Sequence, residues 1–307
     1  MTEPASSSAH RYPPASSPGS SPGTGPGSAP RATGEAIAWI CETCGTQFAP
    51  SLAPPAHCPI CDDERQYVGW AGQTWATPDA LAARHAIRIA DEAGVMTLEL
   101  TPGFAINQRA FRIPDPHAPV LWECLSLVTD EAVAALRAAG GIAAIAISHP
   151  HFYSAMAAWS EALGGVPIYL HEADRAWVQH ASPNLRFWSG DRLAVSDDVE
   201  LVHLPGHFAG SAGLWWKRGP RPGGSLFPGD ALQVTMDRRH ATFLYSYPNL
   251  IPLGPTTVED LRRRVAPLAY DDVFGFTAGR QIVGGARAAI DASFDRYLAR
   301  VRDQPSA

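Results

Sequence analysis

The chain is almost without lysine: Lys217 is its only one among 24 basic residues, and no basic cluster is longer than Arg262-Arg263-Arg264. With a net charge of −6, it lacks the broad positive face that a nucleic-acid partner requires. The start, Met1-Thr2-Glu3-Pro4, carries neither a basic segment nor an apolar run behind it, so no secretory signal or membrane anchor is expected and a cytoplasmic location is the default. Cysteine is scarce as well. Of five cysteines, four fall into two CxxC pairs, which in a reducing compartment read as a metal site before they read as disulfides.

Apart from Met1 and Tyr12, large apolar residues are missing from residues 1–33, where Ser, Pro, Gly and Ala dominate. Such a segment cannot bury enough surface to offset the entropy of ordering, and a disordered tail is predicted. A Cys-containing module follows over 36–69, then one continuous domain over 75–303. The stretch from Arg65 to Trp75 holds no Pro/Ser linker, which predicts that the module is docked on the domain.

Within the domain, period-2 and short apolar runs predict strands at His85–Ala90, Val95–Thr101, Asn107–Ile113 and Val120–Leu125, a meander punctuated by Gly94 and Pro102-Gly103. Further strands are predicted at Ile142–Ile147, Val166–Leu170, Arg192–Val195, Glu200–His203, Ala212–Trp216, Ser225–Phe227 and near Val273–Phe276. Helical spacing predicts helices at Glu131–Ala139, Tyr153–Leu163, Ala173–Gln179, Val258–Leu268 and Ile282–Arg300. Strand blocks interleaved with helices in two similar halves imply an α/β architecture of two sheets face to face with helices outside.

Cys41-x-x-Cys44 and Cys58-x-x-Cys61 are separated by thirteen residues. Four thiolates close a tetrahedral zinc site with no open position, so a structural role in a zinc-ribbon-like fold is expected, although iron of the rubredoxin kind uses the same ligands. Cys124, alone in an apolar strand, reads as a small buried hydrophobe.

The chemistry-bearing residues lie where strands end: His149-Pro150-His151 after Ile142–Ile147, Gly206-His207 in a glycine-rich stretch, and Gly229-Asp230 after Ser225–Phe227. Three imidazoles and one carboxylate suit zinc or iron, and a catalytic site takes such ligands while leaving room for water or substrate. From Trp75 onward the chain resembles the metallo-β-lactamase-fold hydrolase superfamily. The resemblance implies an αββα sandwich and a metal held by His149, His151, His207 and Asp230, which match that family's first two histidines, third histidine and bridging aspartate. Glu123 falls where the family has a strand-end acid, implying that it orients a ligand histidine or a bound water.

The departures narrow the reading. Tyr153 and Ser154 stand where the family motif continues with Asp and His, and Phe276-Thr277-Ala278-Gly279-Arg280 has no last histidine. The three residues specific to a second metal are absent, so one catalytic ion and one structural ion, zinc or iron, are expected. Asp230 would complete the shell or accept the proton of an attacking water, and Tyr153 would donate to a developing oxyanion or leaving group. His171 is a candidate for supporting the site or touching substrate. Phe243, Tyr245 and Tyr247 could wall an apolar pocket or simply pack a loop. The expected activity is hydrolysis of an ester, thioester, lactone or amide in a small molecule. Recombined as two histidines and a carboxylate, the same residues would suit a mononuclear iron oxygenase of the kind that oxidises persulfides in this superfamily. A vestigial site would leave a non-catalytic binding protein.

Overall fold

Alternation of apolar residues over two buried faces sets the layering. The computed structural model describes residues 34–302, so the predicted tail lies outside the described residues, and from Gly34 onward the chain forms one unit. Seven strands build the first sheet in chain order: β1 (Ala86–Glu92), β2 (Val95–Thr101), β3 (Arg109–Ile113), β4 (Val120–Trp122), β5 (Ala144–Ala146), β6 (Ile168–His171) and β7 (Leu185–Trp188). The first four pair antiparallel as a meander, and β4 through β7 pair parallel. Six strands build the second sheet, again in chain order: β8 (Arg192–Ala194), β9 (Val199–His203), β10 (Ala212–Trp216), β11 (Ser225–Phe227), β12 (Asp272–Phe274) and β13 (Gln281–Val283).

In β4, Val120 and Trp122 face the second sheet while Leu121 faces helices, so the strand is apolar throughout. Phe111, Trp122 and Trp188 meet Leu214, Trp216, Phe227 and Phe274 between the sheets. Outside the first sheet pack α1 (Asp130–Ala138) and α2 (Met156–Ala162), through Leu136, Met156 and Trp159. Outside the second pack α3 (Pro255–Val265) and α4 (Ala286–Arg302), through Leu261, Ile290 and Phe294. The result is the expected αββα sandwich. No helix among the described residues is long and apolar enough to cross a membrane.

Local signals explain the helix ends: Thr129 caps α1 by accepting from the Ala132 amide at 3.2 Å, and Pro255 at the first turn opens α3, where its missing N–H costs nothing. Three predicted elements differ. Ile282 belongs to β13, and the last helix begins at Ala286, because Gly284 and Gly285 take positive φ and turn the chain between them. The predicted helix from Tyr153 begins only at Met156, after a 3-10 turn at Pro150–Phe152 and a left-handed Ser154. Ala173–Gln179 is a 3-10 segment over Glu172–Trp177.

The Cys module joins the domain through paired strands, Ile40–Cys41 against Trp75–Ala76. Its first knuckle is bound to the domain at three points: Ser126 Oγ donates to Gly45 O at 2.7 Å, Gln47 N donates to Ser154 O at 3.0 Å, and Gln108 Nε2 donates to Cys44 O at 2.6 Å.

Candidate metal centres and active site

β5 ends at Ala146 and carries Ser148 and His149 to the rim of the sandwich, where Pro150 starts the short 3-10 turn that swings His151 to the same side. His207 lies in the loop between β9 and β10, and Asp230 follows β11. Gly229 makes this convergence possible. It has φ of +54°, and a Cβ there would come within 2.6 Å of Ser148, so the end of β11 can lie against the end of β5 only with glycine.

These four residues come together from both sheets, with one ligand atom from each lying within 4.8 Å of all the others. His149 Nε2 and His207 Nε2 stand 3.5 and 3.6 Å from Asp230 Oδ2, and His207 Nε2 stands 3.2 Å from His151 Nδ1. A tetrahedral ion with bonds of 2.0–2.2 Å needs ligand atoms about 3.3–3.6 Å apart. His149 Nε2 and Asp230 Oδ1 are buried without a hydrogen-bond partner among the described residues. Buried polar atoms are normally paired, so a cation among them satisfies both the geometry and the donor set. Burial holds His149 and His207 down at about 3 and His151 well below its ordinary value. All three imidazoles are therefore neutral, the form that binds metal. Burial pushes Asp230 up to about 6 against the pull of His207.

The surrounding groups fix the ligands. Ser148 Oγ lies 2.7 Å from His149 Nδ1, leaving Nε2 to face the cluster. Glu123 sits one step further out: its Oε2 accepts from Ser148 N at 3.1 Å, its backbone has φ of +67°, and burial raises its carboxyl to about 8. It holds the main chain of the residue that orients His149, with no hydrogen bond to a ligand side chain among the described residues. His207 Nδ1 faces Leu244 O at 3.3 Å, and Asp174 Oδ1 accepts from Gly210 N at 2.8 Å, tying down the loop that carries His207.

Two expected roles are corrected. The Tyr153 hydroxyl donates to Asp174 O at 3.3 Å inside the helix–sheet layer, so its proton is committed to a main-chain acceptor and is not presented to the cavity. His171 caps the Glu172–Trp177 turn, accepting from Ala173 N at 3.3 Å, and stacks on His203 at 3.9 Å. Its partners belong to neither the cluster nor the cavity.

Beside the cluster lies a cavity of about 200 Å³ that His151 and Asp230 both line. Phe276, from the segment without a histidine, and Tyr247 form apolar walls, and the Tyr247 hydroxyl donates to Asp230 O at 2.9 Å. Sequence reasoning missed the opposite wall, Arg65 and Gln66, which comes from the Cys module. The Arg65 side chain donates to both carboxylate oxygens of Asp63 and to His207 O at 3.2 Å, and its guanidinium lies 3.8 Å from the Phe208 ring centroid. Gln108 and Asp174 were missed too, since nothing local marks either residue.

In the Cys cluster, Cys41 Sγ lies 3.5 Å from Cys61 Sγ and Cys44 Sγ lies 3.6 Å from Cys58 Sγ. These are non-bonded separations close to the edge of about 3.8 Å that Zn–S bonds of 2.3 Å require. Hydrogen bonds from the neighbouring thiols, Cys44 first, draw Cys41 far down, while burial pushes Cys44 up. All four cysteines are buried. Both clusters are metal-binding arrangements. Cys124 is buried in the layer between the first sheet and its helices, a hydrophobe as expected.

A four-layer αββα sandwich with a His/Asp metal cluster at its rim defines a class: the chain has the metallo-β-lactamase fold and carries a zinc-ribbon-like N-terminal module. It shares a family with the uncharacterized protein YmaE of Bacillus subtilis (strain 168), with 38% identity over 263 residues covering 85% of this chain and 95% of that protein. Among solved structures, VMB-1 superposes with a TM-score of 0.52 at 11% identity over 72% of this chain and 98% of that one. The metallo-β-lactamase from Pontibacter korlensis gives 0.50 at 12% identity over 71% and 100%. No family model matches the chain.

Proposed function

We propose that this protein is a mononuclear zinc hydrolase that cleaves an ester, thioester, lactone or amide in a small molecule. One observation carries the reading: a buried cluster of three histidines and one carboxylate, with one ligand atom from each within 4.8 Å of all the others, opens on a small apolar cavity. A bound ion would supply Lewis-acid polarisation of a carbonyl and activation of water at neutral pH. His149, His151 and His207 would hold it, with His149 oriented by Ser148. Asp230 has one oxygen toward His149 and His207 and another without a partner among the described residues, so Oδ1 takes the proton of the attacking water. Tyr247 and Phe276 give the cavity apolar walls. Tyr153 and Ser154, and the histidine-free segment Phe276-Thr277-Ala278-Gly279-Arg280, occupy the sequence positions where the resemblance would put a second ion's ligands, which supports a single catalytic ion and disfavours phosphodiesters, whose cleavage gains most from a two-metal clamp.

Elemental analysis of the full chain beside Cys41→Ser and His207→Ala, with turnover of p-nitrophenyl esters, tests this. Two zinc per chain are expected, one remaining in each variant, with turnover abolished in His207→Ala. Iron at the histidine site with oxygen consumption would overturn the hydrolase reading. Unchanged biological activity after substitution of His149 and His207 by Ala would mark the site as vestigial.

A further inference from the structure

His207 is 0% exposed, so its main-chain carbonyl depends on the protein for a hydrogen bond. Among the described residues that oxygen has one donor, Arg65 Nη1 at 3.2 Å, from a residue 142 positions earlier in the chain. The turn around it has its amides committed elsewhere: Phe208 N donates to Ser211 Oγ at 2.8 Å, Gly210 N to Asp174 Oδ1 at 2.8 Å, and Ser211 N to Phe208 O at 3.3 Å. Gly206, with φ of +144°, leaves a pivot just before His207, because a residue without Cβ turns where others cannot. Loss of the Arg65 donor would leave a buried carbonyl unpaired beside that pivot, and the peptide would rotate to find another partner.

Arg65 is itself held from several sides. Asp63, two residues after Cys61, accepts from Arg65 N at 3.0 Å, from Nε at 2.5 Å and from Nη2 at 2.8 Å. The guanidinium carbon lies 3.8 Å from the Phe208 ring centroid and 5.2 Å from that of Trp177, both within the range of a cation–π contact. Asn249 Nδ2 donates to the carbonyls on either side of Arg65, Glu64 O at 2.7 Å and Gln66 O at 3.3 Å. Reaching a carboxylate and a carbonyl at once takes the planar, multi-donor arginine head, which a lysine ammonium does not reproduce. The Asp63 carboxylate also matches the cation, so the pair adds no net charge beside a metal ion.

We propose that Arg65 is a positioning residue for the histidine metal site: the second Cys knuckle, through Asp63 and Arg65, fixes the peptide after His207 and with it the direction of the His207 imidazole. The proposal rests on a metal in the His/Asp cluster, as the hydrolytic reading does, and not on the reaction carried out there.

Arg65→Met and Arg65→Lys test it. Chelator competition on the full chain measures zinc affinity at each cluster, and protein carrying zinc at the Cys cluster and cobalt(II) at the His cluster reports the ligand geometry through its visible absorption. Arg65→Met is expected to weaken zinc binding at the His cluster about tenfold, the lower end of the effect of losing a group that supports a metal ligand. The cobalt bands shift with it, while the Cys cluster holds zinc as tightly as in the wild type. Arg65→Lys is expected to show most of the same loss, since it keeps the charge without the fork. Wild-type affinity and bands in Arg65→Met overturn the proposal, even where the melting temperature falls, because the contact is then structural only. Full retention in Arg65→Lys overturns it as well, leaving a charge effect alone, and that variant gives the decision if Arg65→Met does not fold. Absence of metal from the His cluster of the wild type would sink both the proposal and the hydrolytic reading, whereas the expected Arg65 effects without ester turnover would sink that reading alone.

Discussion

Cys44 and His151 are held by one side-chain amide: Gln108 Nε2 donates to Cys44 O at 2.6 Å and to His151 O at 3.0 Å. One NH2 group has two hydrogens, so the Gln108 amide nitrogen is fully committed to the main chains of the two metal clusters. The ribbon is therefore part of the framework that places His151.

Gln108→Leu leaves both carbonyls without that donor. We expect about tenfold weaker zinc binding at the histidine site, within the range seen when a group supporting a metal ligand is lost, together with destabilisation of about 1–3 kcal/mol. Chelator competition and thermal unfolding measure the two effects. Unchanged affinity would show that the ribbon does not position His151.

Ser148→Ala removes the hydroxyl 2.7 Å from His149 Nδ1. The expected loss is about 10- to 100-fold in metal affinity or turnover, read by the same competition assay. Ser148→Thr keeps the hydroxyl and is expected to retain most of the function if there is room for its methyl, whereas equal loss in both variants would assign the effect to packing.

Glu123 gives a pH signature. Its carboxyl, ordinarily at 4.5, is raised to about 8 by burial. Below pH 4.5 folded and unfolded chains both hold the proton. Between 4.5 and about 8 only the folded chain keeps it, so this group's contribution is lost as pH rises through that window and is level above it. Relative to Glu123→Gln, which accepts from Ser148 N without titrating, the wild type is expected to lose a few kcal/mol of stability across the window. Denaturant unfolding at stepped pH checks this, and parallel profiles for the two proteins would contradict it.

Asp174 holds the His207 loop by accepting from Gly210 N at 2.8 Å, and a Cβ at Gly210 would come within 2.7 Å of the Asp174 Cγ. Asp174→Ala is expected to cost about 1–3 kcal/mol and to lower metal affinity, Asp174→Asn less of both because it keeps an acceptor. Gly210→Ala should reproduce the larger effect by pushing the loop away. Melting temperatures and metal content rank the three variants, and an order with Asn worst would sink the account.

The sandwich was legible because sheets buried on both faces leave apolar runs such as Val120–Trp122 and Ala144–Ala146, and because glycine punctuates them. The CxxC pairs were legible for a different reason: knuckle spacing is local, so chemistry and geometry coincide within a few residues. Tyr153 and His171 were misread because sequence position gives proximity to a strand end but not the direction of a side chain, and each had a main-chain partner closer at hand.

By itself the sequence determined the layered α/β architecture, the four thiolates, and the histidines and aspartate available to a metal. Only the tertiary structure decided that the ribbon supplies Arg65 and Gln66 to the cavity wall, that Gln108 joins the two metal clusters, and that Asp174 secures the His207 loop. These are contacts between residues 36 to 142 positions apart. Periodicity and motif spacing report only neighbours within a turn or a strand, whereas such contacts arise when packing of the two sheets brings their loop-bearing ends together.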